Sequence, residues 1–304
     1  MSAIKYDVVL LTQRDFFAPQ DTTPYIQNVL LEDQLLIKAL EQKGLKITRT
    51  HWDNQQYNWS EARFALFRAT WDYFHRFDEF CLWLKRCSKI INFINPLSVI
   101  QWNIDKHYLS DLQQKGINIP PTLFLSQGEL RSLRQVMEQN KWKKAILKPA
   151  IAGGARHTYL FDQNSVDHYQ DVFQELINSG SMLLQEFQEN IVKGEVSFMM
   201  FGGKYSHSIL KKAKPGDFRV QDDFGGTVHP YEASQEEREF VENVITQCNE
   251  LPVYARVDVM QDNNNKLCLG ELEMIEPELW FRENSHAANA MAEAVYEYIR
   301  KIST

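Results

Sequence analysis

The feature that most constrains this chain is a hairpin that concentrates carboxylates. Tyr254 to Met260 and Leu267 to Met274 alternate as half-buried strands do, and Asp262-Asn263-Asn264-Asn265 between them is turn chemistry. With the turn centred between Asn264 and Asn265, Asp258 stands opposite Glu271. Glu273 shares that face, because strand side chains repeat every two residues. At ~4 Å and an effective dielectric of ~20, each like-charged pair costs about 4 kcal/mol. A fold tolerates such a patch when protons or cations neutralise it, and a hard cation such as Mg²⁺ prefers all-oxygen donors. The bland alternative is a solvated acidic edge.

Composition narrows the setting. The 304 residues suit two or three packed subdomains, and 44% hydrophobic with 12% aromatic content indicates a well-filled core. A net charge of -7 argues against a general nucleic-acid or anionic-membrane surface, while leaving room for a local basic pocket. Cys81, Cys87, Cys248 and Cys268 show no CxxC pair and no ligand spacing with histidine, so they read as buried free thiols in a reducing compartment. The apolar run after Lys5 is too short for a signal sequence, and none approaches the ~18 residues of a membrane span. A cytoplasmic protein is expected.

Three segments follow one another. Residues 1–102 alternate strand and helix: Tyr6 to Leu11, a helix from about Val29 to Gln42 stopped by Gly44, strands near Leu45 to Thr48 and Phe64 to Arg68, and a helix from Asp78 to Lys85. Such alternation predicts a parallel, helix-covered sheet. The loop after the first strand has no glycine, so a dinucleotide-binding turn is absent and the lobe reads as a substrate-side unit. Residues 103–182 open with a helix from Asn103 to Lys115, continue through an amphipathic stretch from Leu130 to Gln139, and bring the strand Lys144 to Lys148 into a Gly153-Gly154 loop. Residues 183–304 are mostly antiparallel, with a strand from Met182 to Phe187 at their start, a turn at Gly202-Gly203, a loop from Lys214 to Gly226, the acidic hairpin, and a closing helix from about Ser285 to Arg300.

Four further groups of residues carry chemistry, each with a structural alternative. Lys148 before Gly153-Gly154 supplies a point charge beside backbone that can approach phosphate closely; edge protection is its alternative. The spacing is not a Walker P-loop, so a mobile lid over a nucleotide fits better. Leu184-Gln185-Glu186-Phe187 turns abruptly polar where an adenine amino group could be accepted, or simply ends a strand. Lys211, Lys212, Lys214 and Arg219 cluster around Pro215-Gly216-Asp217-Phe218 and could clamp phosphate or an acyl-phosphate, unless the loop is merely solvated. Arg68, ending a strand of the first lobe, is a candidate for a substrate carboxylate, with a structural Arg68–Asp72 pair as its rival. The histidines form no HExxH array and no hydrolase triad.

In order, these motifs resemble the ATP-grasp superfamily over the whole chain, in particular its glutathione-synthetase and ribosomal-protein glutamate-ligase type, and within it the cycloserine-forming ligases. The resemblance is carried by Arg68-x-Thr70-Trp71-Asp72-Tyr73, Trp102-Asn103-x-Asp105-Lys106 and Glu271-Leu272-Glu273-x-x-Glu276-Pro277. It implies an α/β (α+β) fold: an N-terminal pre-ATP-grasp α/β lobe, a central lid subdomain and a C-terminal antiparallel-sheet catalytic subdomain. It further implies ATP with Mg²⁺, or Mn²⁺ in its place. Lys106 and Lys148 would contact nucleotide phosphates, Gly153 and Gly154 would lie in the lid, and Gln185, Glu186 and Phe187 would form the adenine hinge. Glu195 would hold the ribose, Arg219, with Lys212 beside it, would contact phosphate or the acyl intermediate, and Asp258, Glu271 and Glu273 would ligate metal. Many relatives have Asn where this chain has Glu273, which keeps an oxygen donor and adds charge.

The expected activity is ATP-dependent ligation of a small carboxylate to an amine through an acyl-phosphate. A phosphotransferase on the same scaffold is the alternative, and a non-catalytic ATP-binding module a weaker one. Dimers are common in the superfamily, so a homodimer is an expectation; neither nucleic acid nor membrane is an expected partner.

Overall fold

The computed structural model describes residues 3–220, 224–284 and 286–303. The N-terminal lobe contains β1 (Tyr6–Thr12), α1 (Arg14–Phe17), α2 (Pro24–Gln42), β2 (Ile47–His51), β3 (Ala62–Phe67), α3 (Phe77–Cys87) and β4 (Asn92–Ile94). Its strands form a parallel sheet ordered β2-β1-β3-β4. β1 is buried on both faces: Val8 and Leu10 enter one core, Val9 and Leu11 another. α2 starts earlier than Val29, because Pro24 follows a Thr23 whose side chain accepts the Ile26 N–H. β2 lies later than Leu45 to Thr48, since Gly44 adopts a left-handed φ of 81° after the helix and uses up the linking residues.

The helix expected from Asn103 to Lys115 is two helices, α4 (Leu97–Asn103) and α5 (Tyr108–Gln114). Asn103 and Asp105 explain the break. Asn103 turns its amide onto the backbone of Leu272 and Met274, and Asp105 accepts from the His107 N–H. Lys106 therefore sits in an irregular corner rather than on a helix face.

The central sheet is antiparallel and ordered β5-β8-β6-β7, from β5 (Thr122–Leu125), β6 (Lys144–Pro149), β7 (Tyr159–Asp162) and β8 (Met182–Glu186). α6 (Leu133–Asn140) and α7 (Gln170–Ser179) pack on it through Val136, Met137, Phe173 and Ile177. β8 is hydrogen-bonded on both sides within this sheet, whereas a boundary at 182/183 would cut it after its first residue.

The third sheet is antiparallel and ordered β11-β10-β9-β12-β13. It comprises β9 (Glu195–Phe201), β10 (Lys204–Lys212), β11 (Thr227–Tyr231), β12 (Tyr254–Gln261) and β13 (Leu267–Glu273), with α8 (Gln235–Thr246) before the hairpin. The closing helix is α9 (Ala287–Ser303); its expected start, Ser285, lies outside the described residues. α9 returns to the first lobe, so Met291 and Val295 share one core with Leu36 and Leu40 of α2. No helix among the described residues is long and apolar enough to cross a membrane.

The acidic hairpin turns on Asn264 itself, with Gln261 opposite Leu267. Unbroken, that register would set Asp258 against Gly270. A bulge at Gly270 advances the pairing by one residue, and Asp258 meets Glu271 after all. A Cβ added at Gly270 would lie 2.7 Å from the Met260 methyl and 3.2 Å from a Glu195 carboxylate oxygen, so a side chain there would displace the end of Met260.

Candidate active site

A cleft of about 520 Å³ opens where the three sheets converge. Its floor is the face of the third sheet that carries Glu195, Lys211, Arg256, Glu271 and Glu273. Asp258, Glu271 and Glu273 present oxygens within 4.8 Å of one another, an all-oxygen donor set of the kind Mg²⁺ prefers. The three are not equivalent. Asp258 is buried, and its oxygens accept from Ser197, from Lys211 at 3.2 Å and from the Arg256 guanidinium at 2.8 Å. Burial opposes its charge, but Arg256 and Lys211 outweigh it and hold the carboxyl below its usual range. Glu271 lies 3.1 Å from the Lys106 ammonium, and Glu273 is paired with Arg256 across the hairpin. Burial pushes Glu273 up to about 7 against the pull of Arg256. Glu271 is lowered instead, because Lys106 and Lys148 overcome its burial.

The lysines are arranged to match. Lys148, on β6, has its ammonium pushed down by burial, with Glu271 pulling the other way. Lys106 donates to the Ala152 carbonyl as well as to Glu271. Lys211 lies 2.6 Å from Glu195; burial works against its charge, but Asp258 and Glu195 keep its pKa raised.

The structure brings most of the expected residues to this cleft. Lys106, Lys148, Gly153, Gly154, Gln185, Glu186, Phe187, Glu195, Arg219, Glu271 and Glu273 all line it, with Asp258 beneath. The Gly153 loop meets Phe74 of the first lobe so closely that an added Cβ would stand 2.6 Å from the ring. Gln185 donates to the Thr122 hydroxyl. Both peptide groups of Phe187 are engaged, its N–H with Lys144 and its carbonyl with Asn263. Arg219 is fixed by Asp217 at 2.8 Å and stacks over Phe224.

Two expectations are corrected. Lys212 is exposed and does not line the cleft; β10 alternates, and Lys211 is the inward neighbour. Arg68 is buried away from the cleft, 3.6 Å from Asp33, against the Phe281 ring and donating to the Pro277 carbonyl. The rival Arg68–Asp72 pair does not form either, since Asp72 accepts from Trp52 and Arg76. Sequence reasoning missed Arg256, although strand alternation already set it on the face of Asp258.

Residues 106–268 match the family described as prokaryotic glutathione synthetase, ATP-grasp domain, which is more than half of the chain. The chain belongs to the ATP-grasp ligases. Like that family it is an ATP-dependent ligase. Residues 8–95 match a second family, the N-terminal domain of D-cycloserine synthetase DcsG. A curated relative, the cycloserine biosynthesis protein DcsG of Streptomyces lavendulae, is 24% identical over 284 residues, covering 87% of this chain and 93% of the relative. The crystal structure of D-cycloserine synthetase DcsG superposes with a TM-score of 0.82 at 22% identity, over 96% of this chain and 99% of that one. D-alanine–D-alanine ligase from Bacillus anthracis gives 0.67 at 14% identity, over 98% of both chains. The fold is thus the mixed α/β ATP-grasp fold with antiparallel sheets. The family uses ATP, typically with Mg²⁺.

Proposed function

We propose that this ligase joins a small-molecule carboxylate to an amine through an acyl-phosphate. The observation that carries the reading is one cleft holding an all-oxygen donor set beside Lys106, Lys148, Lys211 and Arg256. A carboxylate approaching a γ-phosphoryl group is opposed by repulsion among anions, so catalysis is chiefly neutralisation and positioning. Mg²⁺ bound by the hairpin carboxylates would neutralise phosphate charge there.

Glu271 and Glu273 have oxygens open to the cleft, whereas those of Asp258 are saturated by Arg256, Lys211 and Ser197. Asp258 is therefore the anchor that fixes Arg256 and Lys211, and the two glutamates are the principal metal ligands. Lys106 and Lys148 meet nucleotide phosphates, and Arg219 closes on the transferred group from the loop it shares with Asp217. The Gly153-Gly154 loop, seated on Phe74, excludes water that would hydrolyse an acyl-phosphate. Gln185, Glu186 and Phe187 receive the adenine and Glu195 the ribose. No protein nucleophile is needed.

Glu271→Gln tests the assignment. It keeps the size of the side chain and removes its charge, and ADP formation should fall roughly 100-fold or more in a protein that still folds. Some stability should be lost, because Lys106 and Lys148 lose their counter-charge. Undiminished ADP release would refute the metal site. An amide product that depends on a second, amine-bearing substrate separates ligation from simple phosphate transfer.

A further inference from the structure

Glu276 is a carboxylate of this cleft that the phosphate chemistry leaves unused. Its neighbours each have a cation: Glu195 and Asp258 have Lys211, Glu271 has Lys106, Glu273 has Arg256, and Glu278 has Arg282. Glu276 makes no ion pair among the described residues. Its carboxylate accepts from the hydroxyl of Tyr73, and the cation nearest in influence, Lys106, is already committed to Glu271 and to the Ala152 carbonyl. Burial raises Glu276 to about 8, and the charge of Glu273 adds to that.

A charged group taken out of water without a partner is costly, so a sheltered carboxyl facing a cavity either keeps its proton or gives it up to pair with a cation that enters the cavity. The setting shows what kind. The Glu276 peptide is pinned to the first lobe by the Trp71 indole N–H, which donates to its carbonyl at 2.8 Å. Trp71 is held between Phe16 and Tyr25, with ring centroids at 5.7 and 6.0 Å. Tyr25, Trp71, Phe74 and Trp280 line the same cleft. A fixed carboxylate in a cleft lined with aromatic rings suits a compact ammonium group, through one ion pair and the ring faces of Tyr25, Trp71 and Phe74, the Trp280 face being taken by Arg256.

We infer that Glu276 binds the ammonium group of the second substrate, which is a small primary amine that enters as a cation. This rests on the ligase reading and names the substrate class of the same cleft. Trp71 and Tyr73 are positioning residues for Glu276.

The probes are alaninamide and propionamide, which differ by the amino group alone, each titrated into the protein with Mg²⁺ and a non-hydrolysable ATP analogue. Alaninamide should raise the melting temperature of the wild type and propionamide should not. Glu276→Gln, which can still accept from Tyr73, should weaken alaninamide binding about 30-fold or more. Glu276→Asp, which keeps the charge, should recover part of that loss. Binding of the nucleotide analogue is measured separately in each protein, so a failure of the ligase reading appears there and not in the amine response. Equal responses to the two amides in the wild type, or a Glu276→Gln protein that binds alaninamide as tightly as the wild type, would overturn the inference.

Discussion

Lys211 and Lys212 are chemically identical and adjacent, yet the fold gives them opposite consequences. Lys211 is buried between Glu195 and Asp258, while Lys212 is exposed. Removing the Lys211 ammonium leaves two sheltered carboxylates without their shared cation. Lys211→Met should therefore cost about 3–5 kcal/mol in urea unfolding and abolish ADP formation. Lys212→Met should stay within about 0.5 kcal/mol of the wild type. Equal losses in the two variants would show that the ion pairs are not what holds this face. The sequence revealed a basic cluster here but not the phase of the strand. That phase is set by pairing, which places Lys211 opposite Glu195. Arg68 was misread for a related reason. Its partners come from α2 and from the segment after β13, and no local pattern announces contacts between elements so far apart.

Elements were legible in kind and less so in detail. Alternation of period two identified the strands of the hairpin, although β12 is buried on both faces and only Arg256 and Asp258 on the cleft side keep the period visible. Alternating strands and helices identified the parallel sheet. Bulges and breaks leave a fainter mark. Gly270 and Asn103 were visible as residues, but their effect depends on what they pack against. Gly153 belongs to the same class. It was expected in a lid for its freedom of backbone, whereas the structure also requires its lack of a side chain, with Phe74 at 2.6 Å from the Cβ it does not have. Gly153→Ala should push the loop off Phe74 and lower kcat/KM for ATP. Phe74→Ala should make room, so the double variant should recover part of the loss, with a coupling of about 0.5–3 kcal/mol. Steady-state kinetics on the four proteins measures it, and simple additivity would rule out the contact as the seat of the loop.

At the scale of the molecule, the hairpin that carries the carboxylates is bolted to the first lobe by buried polar side chains rather than by a continuous sheet. Asn95, fully buried just after β4, accepts from the Val253 and Tyr254 N–H groups and donates to the Tyr254 and Met274 carbonyls. The Tyr254 hydroxyl donates to the Ile275 carbonyl at 2.7 Å, and Asn103 takes the next carbonyl and N–H of β13 and its extension. These bonds end where Glu273 and Glu276 begin to face the cleft, so the joint sets where the chemistry stands relative to the substrate lobe. Asn95→Ala would strand several buried backbone groups at once, and an unsatisfied group costs about 1–3 kcal/mol. Chemical denaturation should show a loss of roughly 3 kcal/mol or more, with the midpoint moving and the slope unchanged, because the two parts share one core and should still unfold together. Turnover should fall at temperatures where the variant remains folded, since the carboxylates lose their alignment to the first lobe. If the variant were as stable as the wild type, the shared apolar core alone would hold the lobes together. A second, separate transition would mean instead that Asn95 is what makes their unfolding cooperative.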